Sequence, residues 1–335
     1  MCLNKNVKKN NTMKLTPLVV AIYKKMQFLT SILMKSYLRL NGAKIGKNTY
    51  ISISSKIIAN EIRIGCDCEI LSNVVIKGRE IDIGNGVIVS NDVIISGRSS
   101  ITIGSLSYFG KKARIDLSEN VEIGRDVGFG ENSVLWTHGF FPPYDEGYPV
   151  TYAPVQICDR VWISTNIVIL PGVRIGRNVI IGAGAVVTKT VDDGKIIAGN
   201  PAKVLKDTES ILHDLTFIQS MKHVLSGFKS DEMKKMHETD HLLTIKYTGL
   251  TVYVLERICT RIDSLFESKM NVVFVKDVEL NLLEGIDNII WFDYSSKKSK
   301  RCHYSNVVAL RNYLRRYGIR YELTEKSYVE SCINS

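Results

Sequence analysis

The sequence predicts a mainly β fold: a parallel β-helix over residues 45–206, with a basic amphipathic helix before it (residues 1–44) and a small mixed α/β domain after it (residues 207–335). Three observations carry this. Apolar residues recur at a strict six-residue step, the dipeptide Ile-Gly marks six of the seven coil starts, and both patterns stop after Leu205.

Ile-Gly begins at Ile45, Ile64, Ile83, Ile103, Ile123, Ile175 and Ile181. Counting on by six from each coil start gives Ile45, Ile51, Ile57; Ile64, Ile70, Ile76; Ile83, Val89, Ile95; Ile103, Phe109, Ile115; Ile123, Phe129, Leu135; Ile157, Ile163, Ile169; and Ile175, Ile181, Val187. All 21 positions are apolar against a background of 45%. Chance would produce that agreement about once in ten million trials before any choice of register. The position two residues before each step residue is often small or β-branched, as at Thr49, Ser55, Val74, Val87, Val93, Ala113, Val179 and Ala185. Six matches neither the helical period nor simple strand alternation. It fits short strands joined by bends, three to a coil, each sending one aliphatic side chain inward. Successive coil starts lie 19, 19, 20, 20, 34 and 18 residues apart. A β-sandwich would instead need hairpin dipeptides between its strands, and Asn85-Gly86 is an isolated instance.

The 34-residue interval marks an inserted loop at about 139–156, reading GFFPPYDEGYPVTYAPVQ. A solenoid that breaks its own period usually does so to build a binding surface. Phe140, Phe141, Tyr144, Tyr148 and Tyr152, with the carboxylates of Asp145 and Glu146, suit a sugar: rings pack on its apolar faces and carboxylates accept from its hydroxyls. Of six histidines, His138 alone precedes residue 213, and it stands at the base of this loop. Several histidines are needed for a zinc site within the repeats, so no metal is expected there.

Charge and cysteine content narrow the class. The chain carries a formal charge of +10, but residues 1–44 hold eight Lys, one Arg and no acid, which leaves the remainder nearly neutral. Charge confined to one end does not predict a nucleic-acid-binding face. Seven cysteines without a C-x-x-C pair fit a reducing cytosol. No uncharged apolar run approaches the ~18 residues of a membrane span, and the interrupted N-terminal stretch does not read as a signal peptide.

Residues 157–205 contain Val161-Trp162-Ile163, Leu170-Pro171-Gly172-Val173, Ile181-Gly182-Ala183-Gly184, Val187-Thr188-Lys189 and Gly199-Asn200-Pro201-Ala202-Lys203. In order and spacing these resemble the hexapeptide-repeat acyltransferases, and within them the maltose, galactoside and polysaccharide O-acetyltransferase group, over about residues 40–206. The resemblance implies a left-handed β-helix, a homotrimer with sites between subunits, and acetyl-CoA as acyl donor. It implies that His138 is the general base. Acyl transfer to an alcohol needs a group titrating near operating pH to take the hydroxyl proton and return it to the departing thiolate. Asp116, Asp145 and Glu146 are candidates to orient that imidazole, and the sequence does not choose among them. The resemblance further implies a backbone N–H at Ser164 or Thr165 for the oxyanion, although Ser164 stands where glycine is usual. Trp162 is a candidate wall of the acceptor site. Backbone groups near Ala183 and Gly184 would bind the pantetheine arm, with Ser164 and Thr188 beside it. Lys189 and Lys203 would meet the phosphates, with Arg174 and Arg177 as further candidates. Tyr144, Asp145 and Glu146 are the expected acceptor contacts.

The two ends read differently. After Thr16-Pro17, residues 18–40 set Lys24, Lys25, Lys35 and Arg39 within an arc of about 100°, with an otherwise largely apolar circumference. Such a helix either caps the solenoid or lies on an anionic membrane, and the two roles are compatible. Beyond residue 206, helices are expected at 208–228 and 303–317 and strands at 272–276, 288–293 and 318–323. His237-Glu238-Thr239-Asp240-His241 spells the H-E-x-x-H pattern, but in a very polar stretch unlike a buried metalloprotease helix. The sequence thus predicts a cytoplasmic trimeric O-acetyltransferase, acting on a sugar hydroxyl of a bacterial surface polysaccharide or its precursor, with peripheral contact at the inner membrane face. Alternatives are a sugar N-acyltransferase on the same scaffold and a non-catalytic trimeric scaffold.

Overall fold

The computed structural model describes residues 17–139, 142–228, 233–239, 241–248, 250–256, 271–276, 283, 289–302 and 304–324. Residues 44–207 form a parallel β-helix of three sheets, in which each coil contributes one short strand to each sheet. The register aligns the six-residue step from coil to coil: Ile45 pairs with Ile64, then Ile83, Ile103, Ile123, Ile157 and Ile175. Every predicted step residue is buried except Ile45, which is partly buried against the same core. Phe109 and Phe129 stack in this ladder with ring centroids 5.8 Å apart. The small positions are also buried, and their hydroxyls bind backbone: Thr49 Oγ1 donates to the Gly65 carbonyl at 2.6 Å, and Ser133 Oγ to that of Ser164 at 3.0 Å.

Three corners result. Corner one, between sheets one and two, repeats a left-handed backbone residue at Asn48, Asp67, Gly86, Leu106, Asp126, Arg160 and Asn178. Corner two, between sheets two and three, does so at Asn73, Asp92, Lys112, Asn132, Asn166 and Gly184. Asn and Asp tolerate this conformation better than other side chains, and glycine adopts it freely. Corner three returns the chain to sheet one. It absorbs the extra residues of the longer coils and the inserted loop.

The helix α1 (Pro17–Leu40) closes the first coil. Leu38 is buried in the ladder core, Met34 packs against it, and the buried Ser31 Oγ accepts from the Ile51 N–H at 2.9 Å. The capping role expected for this helix is present, through one narrow stripe.

The C-terminal residues build a seven-stranded sheet from β1 (Met233–Glu238), β2 (Leu242–Tyr247), β3 (Leu250–Leu255), β4 (Asn271–Val275), β5 (Ile289–Asp293), β6 (Lys298–Lys300) and β7 (Glu322–Thr324). The central strands β3, β4 and β5 are mutually parallel and buried on both faces, which explains their uninterrupted apolar sequences. Helices α2 (Phe217–Ser226) and α3 (Ser305–Leu314) cover one face through Met221, Leu225, Leu310 and Leu314. The helix expected at 208–228 is shorter. A 3₁₀ turn spans Thr208–Ile211, and α2 starts only after Thr216, whose side chain caps the Gln219 N–H while Gln219 caps in return. The strand expected at 318–323 is displaced to Glu322–Thr324, because Gly318 takes a left-handed turn that ends the preceding helix. His237 and Glu238 lie on β1, in extended chain. Neighbouring strand residues face opposite sides, so this stretch does not present the one-sided helical pair of a metalloprotease.

The sheet docks on corner one. Arg301 grips Asp67 with two nitrogens at 2.7 and 2.5 Å, Arg320 meets Asp126 at 3.1 Å, and Asn85 donates to Glu322 at 2.5 Å.

Phe129→Ala removes half of the stacked pair in the ladder. It is expected to lower unfolding free energy by about 3–5 kcal/mol. Urea titration of the variant checks this, and a loss below 1 kcal/mol would mean that the neighbouring coils close the gap.

Candidate active site

The site is built where the period breaks. After Leu135 the chain leaves sheet three, and His138-Gly139 pairs in antiparallel fashion with Thr151-Tyr152. This two-residue ladder pins the loop base and sets His138 opposite Tyr152. The His138 ring lies 6.0 Å from the Tyr152 ring at 23°, and 5.5 Å from Trp136 at 86°. The imidazole is therefore held between one aromatic face and another aromatic ring set nearly perpendicular.

Asp116 fixes the ring's second degree of freedom. Its Oδ2 lies 2.8 Å from His138 Nδ1. The same carboxylate accepts from Thr137 Oγ1 at 2.5 Å, from the Thr137 and Ser118 N–H groups at 3.2 Å each, and from Ser118 Oγ at 3.1 Å. Burial alone would push the Asp116 carboxyl up. The hydrogen bonds from Thr137, His138 and Ser118 outweigh it and hold the group below its ordinary 3.8. A carboxylate accepts only, so Nδ1 carries the proton and Nε2 bears the lone pair. Among the described residues Nε2 has no partner, and the side chain is 37% exposed. An imidazole so oriented can take a proton from a group placed at Nε2.

Of the three carboxylates open as orienting groups, the structure brings only Asp116 to the imidazole. Asp145 and Glu146 lie with Tyr144 on an exposed 3₁₀ turn and make no hydrogen bond to it. Tyr144 is 75% exposed. Trp136, Ser118 and Thr137 were not singled out from the sequence. A signal existed: Asp116 and Trp136 directly follow the step residues Ile115 and Leu135, which pair in adjacent coils. Asking which polar residues stack one coil below the histidine would have found Asp116 and Ser118.

The remaining candidates lie elsewhere on the solenoid. Trp162 projects from sheet two, 58% exposed. Ser164 and Thr165 are at corner two. The Ser164 N–H is not available as an oxyanion donor, because it donates to the Ile181 carbonyl at 3.1 Å in the regular coil ladder. The Thr165 N–H has no acceptor among the described residues, while its carbonyl accepts from Gly184 at 3.0 Å. A Cβ at Gly130 would stand 2.0 Å from the Ser164 backbone carbonyl oxygen, so that position must lack one. Ala183 and Gly184 are exposed one coil further along corner two, with open space beside Gly184. Thr188 and Lys189 are exposed after the last sheet-three strand, and Lys203 begins the exposed strand Lys203–Asp207. Within one chain the structure thus joins His138 to Asp116, Ser118, Trp136 and Tyr152, and leaves Thr165, Ala183 and Gly184 at a different corner. Among the described residues no group of three or more His, Cys, Asp or Glu side chains is placed to hold a metal.

Comparison with known proteins supplies a family signature. Residues 154–189 match the family model described as bacterial transferase hexapeptide (six repeats). A 63-residue segment is 48% identical to 2,3,4,5-tetrahydropyridine-2,6-dicarboxylate N-acetyltransferase of Staphylococcus aureus (strain JH9), covering 19% of this chain and 26% of that one. The chain spans about a quarter of the length of the curated relatives it matches. Among solved structures, the polysialic acid O-acetyltransferase OatWY is 23% identical with a TM-score of 0.41, over 54% of this chain and 97% of that one. The polysialic-acid-specific acetyltransferase NeuO is 23% identical with a TM-score of 0.35, over 55% and 93%. The N-acyltransferase AntD from Bacillus cereus, in complex with dTDP and 3-hydroxybutyryl-CoA, is 22% identical with a TM-score of 0.38, over 52% and 87%. Residues 154–189 thus carry the hexapeptide repeat that the motifs in residues 157–205 imply.

Because the Asp116 carboxyl is held below its ordinary value, the stability its hydrogen bonds supply is present above about pH 4 and is lost as pH falls through the lowered value. Asp116→Asn is expected to cost about 1–3 kcal/mol at pH 7. The gap from the parent should narrow towards pH 3, and urea unfolding at several pH values measures it.

Proposed function

We propose that the chain is an acetyl-CoA-dependent O-acetyltransferase, acting on a sugar hydroxyl of a bacterial surface polysaccharide or its precursor, with His138 as general base. The observation that carries this reading is the Asp116–His138 pair at the base of an aromatic loop on a hexapeptide solenoid. Tyr152, Tyr148 and Tyr144, all exposed, offer rings to a sugar, and Asp145 and Glu146 offer acceptors.

Acetyl-CoA, when bound, supplies the thioester. His138 Nε2 takes the proton of the acceptor hydroxyl as that oxygen attacks the acyl carbon. Asp116 holds Nδ1–H and stabilises the resulting imidazolium, which then returns the proton to the departing sulfur. The Thr165 N–H is the donor open to the charge growing on the carbonyl oxygen. The exposed backbone at Ala183-Gly184 and the exposed Lys189 and Lys203 suit a pantetheine arm and its phosphates. In one chain Thr165 is at corner two and His138 at corner three, while corner one carries the C-terminal sheet. A homotrimer in which corner two of one subunit meets corner three of the next would complete the site. A sugar amine would use the same base, and the 63-residue likeness to an N-acetyltransferase keeps an amine acceptor as the second reading.

The proposed place of work is a membrane face. Ile22, Met26, Leu29, Leu33, Tyr37 and Leu40 of α1 are exposed, on the side away from the buried Ser31 and Leu38. Lys25 and Arg39 are exposed beside them. An apolar stripe flanked by cations suits an anionic bilayer surface. No helix among the described residues is long and apolar enough to cross a membrane.

His138→Ala is expected to lower acetyl-CoA turnover on the accepted glycan about 10²–10⁴-fold with the oligomer unchanged. Unaltered turnover rejects the base assignment, and acetylation of amino sugars alone would replace the hydroxyl acceptor by an amine. Leu29→Asp with Leu33→Asp is expected to abolish flotation with phosphatidylglycerol vesicles while leaving the solenoid folded. Equal flotation of parent and variant would remove α1 from membrane contact.

A further inference from the structure

A cavity of about 380 Å³ lies between the C-terminal sheet and corner one, away from His138. Its sheet side is formed at the carboxyl ends of parallel strands. Lys276 follows β4, and Tyr294 to Lys297 follow β5. Such ends are where open parallel sheets commonly hold ligands. Its solenoid side carries Arg125, Asp126, Asp159 and Arg160 from two successive coils.

Four cationic side chains therefore face two carboxylates, and both carboxylates are already engaged. Asp126 accepts from Arg320 at 3.1 Å, and Asp159 accepts from the Arg125 N–H at 2.7 Å. Lys276 pairs with Glu256 at 3.5 Å, and Arg125 with Glu322 at 3.5 Å. Lys297 and Arg160 have no carboxylate partner among the described residues. Lys297 is held in a left-handed backbone conformation, with Nζ 3.4 Å from the centre of the Tyr294 ring. Burial pushes its amine down to about 8, and Arg160 and Arg125 depress it further against the pull of Asp126 and Asp293. A cation placed among cations and away from water is costly unless an anion joins it.

We propose that this cavity binds a phosphate-bearing ligand, a phosphate monoester or a diphosphate, between Lys297 and Lys276 on the sheet and Arg125 and Arg160 on the solenoid. Cations arriving from opposite walls favour a group with several oxygens over a single carboxylate. The volume is that of a small-molecule site. The C-terminal sheet would then act as a second binding element whose ligand also bridges it to the solenoid. The proposal is independent of the acetyltransferase reading, because its test measures binding without turnover.

Calorimetric titration of the full chain with pyrophosphate, in metal-free low-salt buffer, tests it, with inorganic phosphate and glucuronate in parallel. Saturable pyrophosphate binding is expected, with glucuronate at least about tenfold weaker, and Lys297→Met and Arg160→Gln each weakening pyrophosphate about tenfold or more. Arg160 is exposed, so its variant reports binding even if Lys297→Met perturbs folding. Absence of saturable binding, indifference of Arg160→Gln and a folded Lys297→Met, or glucuronate binding as tightly as pyrophosphate each overturns the proposal.

Discussion

Each coil of this solenoid can satisfy its backbone and bury its aliphatic side chains only against the coils above and below it. That constraint governs the rest of the structure. An inserted residue within a strand would throw every later step residue out of the ladder, so extra length is admitted only at corners. Ile163 stacks on Phe129 and Val168 pairs with Val134 as though the loop between them did not exist. The loop does not disturb the core, because it leaves and re-enters at corner three, where the strand Val155–Ile157 resumes pairing with Val121–Ile123.

Function is then confined to the corners and outward faces, and the three corners differ. Corner one is built of Asp67, Asp126 and their neighbours, which hold the C-terminal sheet through arginines. Corner two carries the open Thr165 and Gly184 backbone. Corner three carries His138. The Asp116–His138 contact follows from stacking itself. Asp116 extends a strand one coil earlier, and the ladder sets it beneath the residue at which the next coil bends away. A rigid scaffold of this kind fixes an imidazole more tightly than a loop would, because the carboxylate below it is itself held by Thr137 and Ser118.

This also explains what could be read in the chain and what could not. The period was legible because one interaction repeats at every step, so the six-residue apolar step together with the Ile-Gly positions placed the coils. His138 stands out as the candidate base because it sits at the break. Asp116 stayed one of three candidates because its contact spans 22 residues of sequence, and nothing along the chain ranks it against Asp145 and Glu146. Ser164 and Thr165 stayed alternatives as the donor because motif position does not reveal that the Ser164 N–H completes the ladder to Ile181. In the C-terminal region, β3, β4 and β5 are buried on both faces and lack alternation, so composition located β4 and β5 but neither β3 nor the order of the sheet.

The two ends of the ladder show how the same constraint extends beyond the repeats. A stack of coils exposes an apolar, unpaired face at each end unless something covers it. At the far end the strand Lys203–Asp207 turns back antiparallel on Lys195–Ala198 and ends the second sheet. At the near end α1 does the covering, with Ser31 accepting an orphan N–H and Leu38 filling the core. Only the half of α1 from Ser31 onward is needed for this. Among its described side chains, those before residue 31 are exposed or half-buried, and they include Val19, Ile22, Met26, Phe28 and Leu29. A helix that served as a cap alone would be shorter and polar outside. Its 24 residues and outward apolar stripe are therefore explained by a second surface, and the proposed bilayer contact supplies one that also accommodates the nine cations of residues 1–44.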